Sequence, residues 1–238
     1  MRAVRAWISC ALAVLIAGTV LAACGNDDRA HHAANLQPEV AQSICATYRA
    51  RAAQRLALVT GHGPRVVVIG DSWSVGRHLP SLRLTWPVYL HGRVHVSAFP
   101  GSGFAERDMA RCGQVSFADR AANALRQGAS LVVVEGGIND VGRSTAAITS
   151  GFRRLMHELA GYRVVIVGPA RAPRRGNAVF RVDRLLHRLA ERAGVDYIRT
   201  LDLTLTYLPD RLHPTVAGHR IFGRTVARRI AALGRVQR

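Results

Sequence analysis

Short apolar runs recur along the chain at Arg65-Val-Val-Val-Ile69, Val94 to Ala98, Leu131 to Val134, Val164 to Val167 and, more weakly, Val195 to Ile198. A run that is apolar at every position reads as a strand covered on both faces, the condition of a parallel sheet between helices. Stretches of helical period near 118–127, 145–160 and 177–193 lie between the later runs, and a last one follows from about 215 to 232. Strands spaced by helices predict a doubly wound α/β sandwich around one parallel sheet. Ligands of such sheets bind beyond the carboxyl ends of the strands. The chemistry is therefore sought in the segments that directly follow the runs.

The beginning of the chain has the form of an export signal. Arg2 and Arg5 precede an uncharged apolar stretch from Trp7 to Val20, and Leu21-Ala22-Ala23 sets small residues directly before Cys24. That spacing resembles a bacterial lipobox. It implies loss of residues 1–23, lipidation of Cys24 and anchoring in the cell membrane on its extracytoplasmic side. An ordinary secretory signal and an uncleaved anchor are the alternatives; a spanning helix needs roughly 20 apolar residues, and this interval is marginal for that. Residues 24–37 are polar without periodicity and are expected to form a tether. Its adjacent His31 and His32 read as solvated side chains, not metal ligands. Residues 38–62 follow as a helical segment closed by Gly61-His62-Gly63-Pro64. Residues 63–238 are long enough for one domain with its own core, and no internal repeat is present.

With Cys10 in the signal and Cys24 assigned to the lipid, Cys45 and Cys112 are the remaining cysteines. In an oxidising compartment two such residues are expected to form one disulfide, the alternative being two buried thiols. The signal holds two of the 33 basic residues and none of the 15 acidic ones, which leaves the mature chain at +16. Every basic residue is Arg; the sequence has no Lys. Such a charge draws a protein to anionic head groups or wall polymers. A nucleic-acid partner is not expected, because an exported chain seldom meets one and no aromatic-interleaved basic motif is present.

Four segments carry the reactive residue types. Gly70-Asp71-Ser72 ends the first run, and a serine there stands at the sheet edge with a hydroxyl that needs a base to become a nucleophile. Gly101-Ser102-Gly103 follows the second run and can aim a backbone N–H at a developing oxyanion. Gly137-Ile138-Asn139-Asp140 follows the third and offers a side-chain amide for the same purpose. Asp140 reads as a cap or brace of its loop. Asp210-Arg211-Leu212-His213-Pro214 sets a carboxylate three residues before a histidine, so that one ring nitrogen can be held while the other faces Ser72. Each segment alone is also ordinary turn or cap chemistry. Together they form the parts list for acyl transfer through a serine ester.

In order and spacing these segments resemble those of the SGNH (GDSL-type) serine hydrolases, over roughly residues 65–225. The resemblance implies a three-layer α/β/α sandwich with a five-stranded, flavodoxin-like parallel sheet. It implies Ser72 as nucleophile, His213 as general base with Asp210 behind it, and an oxyanion hole made by the N–H groups of Ser72 and Gly101 and the amide of Asn139. The family's second block usually has an Asn ahead of its glycine; Val96 to Pro100 has none, so Gly101 is taken for that block with Gly103 as the fallback. Trp73 stands where an aliphatic residue is usual, either lining an acyl pocket or covering the core. The implied protein is a monomeric esterase of lipid, acyl or O-acetyl glycan esters that needs neither metal nor organic cofactor. An envelope acyltransferase using the same acyl-enzyme, and a catalytically idle wall-binding domain, are the rival readings.

Overall fold

The computed structural model describes residues 24–105 and 112–236, with side chains from 40 to 105 and 112 to 233. The signal segment 1–23 and the side chain of Cys24 lie outside this range. Two compact units divide the chain, residues 1–44 and Cys45–Arg238, and every residue of the site described below belongs to the second.

A five-stranded sheet forms the middle of that unit, from β1 (Arg65–Gly70), β2 (Arg93–Ala98), β3 (Leu131–Glu135), β4 (Val164–Val167) and β5 (Asp196–Ile198). The strand order is β2-β1-β3-β4-β5 and every pairing is parallel. This is the flavodoxin-like doubly wound order. Successive side chains of a strand face opposite sides, and the core divides accordingly. Val67, Ile69, Val132 and Val134 join one apolar cluster with Phe117, Phe152 and Leu186. Val66, Val68, Val133 and Val165 join the other with Trp73, Trp86 and Phe222. The first cluster is closed by α3 (Phe117–Ala124), α4 (Thr145–Glu158) and α5 (Ala178–Arg192), and α6 (Val216–Val236) closes the second. Apolar strands are thus covered on both sides, giving three layers.

Two features depart from the sequence reading. The first helix, α1 (Cys24–Ala57), takes in the whole stretch expected to be a tether. Lack of an apolar stripe shows only that a helix has no face to bury; Ala30, Ala33 and Ala34 still give this segment strong helix formers. A one-turn helix, α2 (Ser72–Val75), replaces the turn expected after the first strand.

Cys45 and Cys112 are joined by a disulfide. They pack with Phe99 and, partly buried, Tyr48 and Val115 in a third small cluster.

Candidate active site

The strand order reverses at β1, which has β2 on one side and β3 on the other, and the site is built where their carboxyl ends open. Asp71 caps α2 by accepting the Trp73 N–H at 2.8 Å. Ser72 is therefore the first residue of α2, and Gly76 ends the helix in the left-handed conformation with φ of 78°. Gly70 has no substitute here, because a Cβ would lie 2.1 Å from Ser74 Oγ.

Ser72 Oγ is 3.1 Å from His213 Nε2 across 141 residues of sequence. The other ring nitrogen, Nδ1, lies 2.5 Å from Asp210 Oδ2. Asp210 Oδ1 meanwhile accepts the N–H groups of Leu212 and His213 at 2.9 and 3.0 Å. These local bonds, with Arg211 at a φ of 58°, fold the Asp-Arg-Leu-His segment back on itself so that carboxylate and imidazole meet. Thr215 then caps α6 by accepting the Gly218 N–H at 3.1 Å. Ser72 and His213 are each only 4% exposed. Burial lowers the pKa of His213, while the hydrogen bond and charge of Asp210 work against that shift. Burial would raise Asp210, but the bonds from His213 and Leu212 outweigh it and hold the carboxyl well below its usual range. The arrangement is a neutral imidazole, oriented by a carboxylate, in hydrogen-bond reach of a serine hydroxyl.

Asn139 ties the three loops of this edge together. Its amide donates to Asp71 Oδ2 at 3.1 Å and to the Ser102 carbonyl at 2.9 Å. Gly101 turns the chain before Ser102 with φ of 79°, and the Ser102 hydroxyl bonds to the carbonyls of Phe99 and Gly70 at 2.9 and 3.3 Å. Gly103 instead spends its carbonyl on the Phe117 N–H, at the start of α3. Asp140 braces its neighbours, accepting the N–H groups of Phe104 and Ala105 at 3.1 and 2.8 Å. Trp73 is 2% exposed, in edge contact with Phe222 and His219, and so fills the core.

The sequence reading passed over several side chains that support the site. Glu135, the last residue of β3, is 3% exposed and accepts the Ser74 hydroxyl at 2.6 Å, and Trp86 Nε1 donates to the same Ser74 oxygen at 3.1 Å. The Asp71 N–H also points at Glu135. Burial pushes the pKa of Glu135 up to about 7. It also raises that of Asp71 well above its ordinary value, with the charge of Glu135 adding to the effect. An acid closing an otherwise apolar run was the available signal. Arg55, fully buried, donates to the Ser74 carbonyl at 3.2 Å, and Arg51 bonds the carbonyls of Gly76 and Leu79 at 2.9 and 3.0 Å. Arg120 bonds the Gly70 carbonyl and Ser102 Oγ at 2.9 and 3.0 Å. In a chain this rich in arginine, nothing marked these three out.

A family model described as the GDSL-like lipase/acylhydrolase family matches residues 68–221. No curated protein matches the sequence. Among solved structures, a carbohydrate acetylesterase from Sinorhizobium meliloti superposes with a TM-score of 0.61 at 17% identity, over 72% of this chain and 100% of that one. An aryl esterase from M. smegmatis superposes with a TM-score of 0.59 at 17% identity, over 72% and 100% of the two chains.

Proposed function

We propose, from the premise that this chain belongs to the GDSL-like lipase/acylhydrolase family and hydrolyses esters, that it does so through an acyl-enzyme on Ser72. His213 takes the hydroxyl proton as Ser72 attacks the ester carbonyl, and Asp210 holds the ring and offsets the charge that forms. The oxyanion is received by the N–H groups of Ser72 and Gly101 and by the Asn139 amide. His213 returns the proton to the leaving alcohol, then activates the water that frees the acid. The observation that carries this reading is the 3.1 Å approach of Ser72 to an imidazole whose far nitrogen is held by Asp210.

Both hydrogens of the Asn139 amide are committed in the resting protein, to Asp71 and to Ser102. The developing oxyanion therefore has to draw one of them away. Because the acceptor it replaces is neutral or partly protonated, the charged oxyanion makes the stronger bond. That difference favours the transition state over the ground state.

The substrate we infer is a small acyl ester, with O-acetyl groups on envelope glycans first and lipid esters second. A nucleophile only 4% exposed supports a small acyl group. The likeness to a carbohydrate acetylesterase supports the glycan. The run from Arg2 to Cys24 supports export and a lipid anchor on Cys24. The test is hydrolysis of p-nitrophenyl esters of increasing acyl length, with Ser72→Ala as control. Turnover should be greatest for acetate and vanish in the variant. Turnover that survives in the variant, or rises toward long acyl chains, sinks the mechanism or the substrate respectively. Labelled fatty acid should enter the wild-type chain in bacteria and not Cys24→Ala.

A further inference from the structure

Asp210 has a second imidazole within reach besides that of His213. His78 Nε2 is 3.9 Å from Asp210 Oδ2, the oxygen that His213 Nδ1 approaches to 2.5 Å. The rings of His78 and His213 meet edge to face with centroids 5.0 Å apart. One donor atom from each of the three residues lies within 4.8 Å of the other two. His78 reaches this place from the left-handed region of the backbone, with φ of 66°. Its side chain is 47% exposed and that of Asp210 is 29% exposed, so the group opens to solvent.

We propose that His78, Asp210 and His213 form a binding site for a divalent transition-metal ion of the zinc class, whose occupation switches the hydrolase off. The switch rests on His213 acting as general base. Two imidazole nitrogens and one carboxylate oxygen, with a fourth position left to water, are an ordinary zinc donor set. Metal–ligand bonds of about 2.0–2.2 Å put tetrahedral donors roughly 3.3 Å apart. The His78–Asp210 separation has to close slightly, by rotation of the exposed His78 side chain, and the His213–Asp210 separation has to open, by a turn of the part-exposed Asp210 carboxylate away from the buried ring. Magnesium and calcium prefer a cage of oxygens and are a poor fit. Arg77, whose charge is felt at His213 and His78, opposes any cation here and keeps the affinity moderate.

Either way of binding His213 removes the base. If the ion takes Nδ1, the proton that Nδ1 held toward Asp210 moves to Nε2, which then cannot accept from Ser72. If it takes Nε2, it displaces Ser72 directly. Only a ring proton and hydrogen bonds of His213 are rearranged, with no bond between heavy atoms of the protein made or broken, and removal of the ion restores the site.

The test uses the full chain with His31 and His32 replaced by Ala, so that the adjacent pair cannot compete for metal. Zinc chloride is titrated against p-nitrophenyl acetate turnover, and separately into the Ser72→Ala protein by calorimetry. Zinc should inhibit reversibly, with EDTA restoring turnover. His78→Gly and His78→Asn, which both accept the positive φ, should raise the inhibiting concentration at least tenfold while leaving metal-free kcat within about twofold. Calorimetry should find one site, lost when His78→Gly is added. Equal zinc sensitivity in the His78 variants overturns the proposal. One-to-one binding that depends on His78 but leaves turnover intact overturns the switch. Turnover surviving Ser72→Ala faults the catalytic reading instead, and the calorimetric result still decides the site.

Discussion

Ser74 donates a 2.6 Å hydrogen bond to Glu135, whose carboxylate also receives the N–H of Asp71. Ser72 lies between these two anchors. Asp71, just before the nucleophile, and Ser74, two residues after it, are thus fastened to one buried side chain at the end of the central strand. Glu135, 3% exposed, sets where the serine stands.

Glu135→Gln should therefore lower kcat by about tenfold and leave KM little changed, since small displacements of a reacting group are costly. The amide keeps the shape but presents a donor where two donors already converge. Steady-state kinetics and a pH profile separate positioning from simple loss of stability. With burial lifting Glu135 to about 7 in the wild type, its kcat should change across neutrality, and that step should be missing in the variant. A variant that is merely less stable, with unchanged kcat and profile, contradicts this role.

The acid limb of kcat/KM reports protonation of the free base. Burial lowers the pKa of His213 from 6.5, Arg77 and His78 push the same way, and Asp210 pulls back. The limb should accordingly fall below pH 6.5. Asp210→Asn removes the upward pull, so the limb should move to still lower pH while kcat drops about 10³–10⁴-fold through loss of the correct tautomer. A pH–rate series on both proteins checks this; a limb that rises or stays in place is the contrary result.

His219 should make the fold sensitive to acid. It is 1% exposed with Nδ1 unpartnered, and burial, with His213 nearby, pushes its pKa down to about 3. The unfolded chain binds a proton near 6.5, the folded one does not, so stability present above that value is lost as the pH falls toward 3. Glu135 acts in the opposite sense, its stabilisation complete below 4.5 and fading as the pH rises through about 7. Urea midpoints of wild type and His219→Phe at pH 7 and pH 4.5 isolate the histidine. The drop on acidification should be smaller in the variant, and an equal drop refutes the linkage.

The sheet was legible because its strands are buried on both faces and so carry an uninterrupted apolar code; Val164–Val167 needed no context to be placed. The Asp210–His213 pairing was equally legible, being set by a local turn that a five-residue segment specifies by itself. What escaped depended on distance. Glu135 gains its meaning only when β3 pairs with β1 and brings it under Ser74. His78 is one of ten histidines until the chain folds it against His213. The 3-10 turns at Leu82–Leu84 and Trp86–Tyr89 are too short for any period to show. The helical course of residues 24–37 escaped for another reason, since a helix that needs no apolar stripe leaves no periodic trace.

The disulfide between Cys45 and Cys112 turns part of the backbone into a closed ring that contains β1, Ser72, β2 and Gly101. Asn139, Asp210 and His213 lie on the open remainder of the chain. The proton donor and the proton acceptor thus belong to parts with different freedom when folding is lost. The ring can wander only as far as its covalent closure allows, whereas the segment bearing the imidazole lies outside that closure. In the unfolded chain the base can therefore move farther from the serine than the members of the ring can move from one another. Recovery of activity after unfolding is in that sense the return of an unclosed stretch of chain to a closed one.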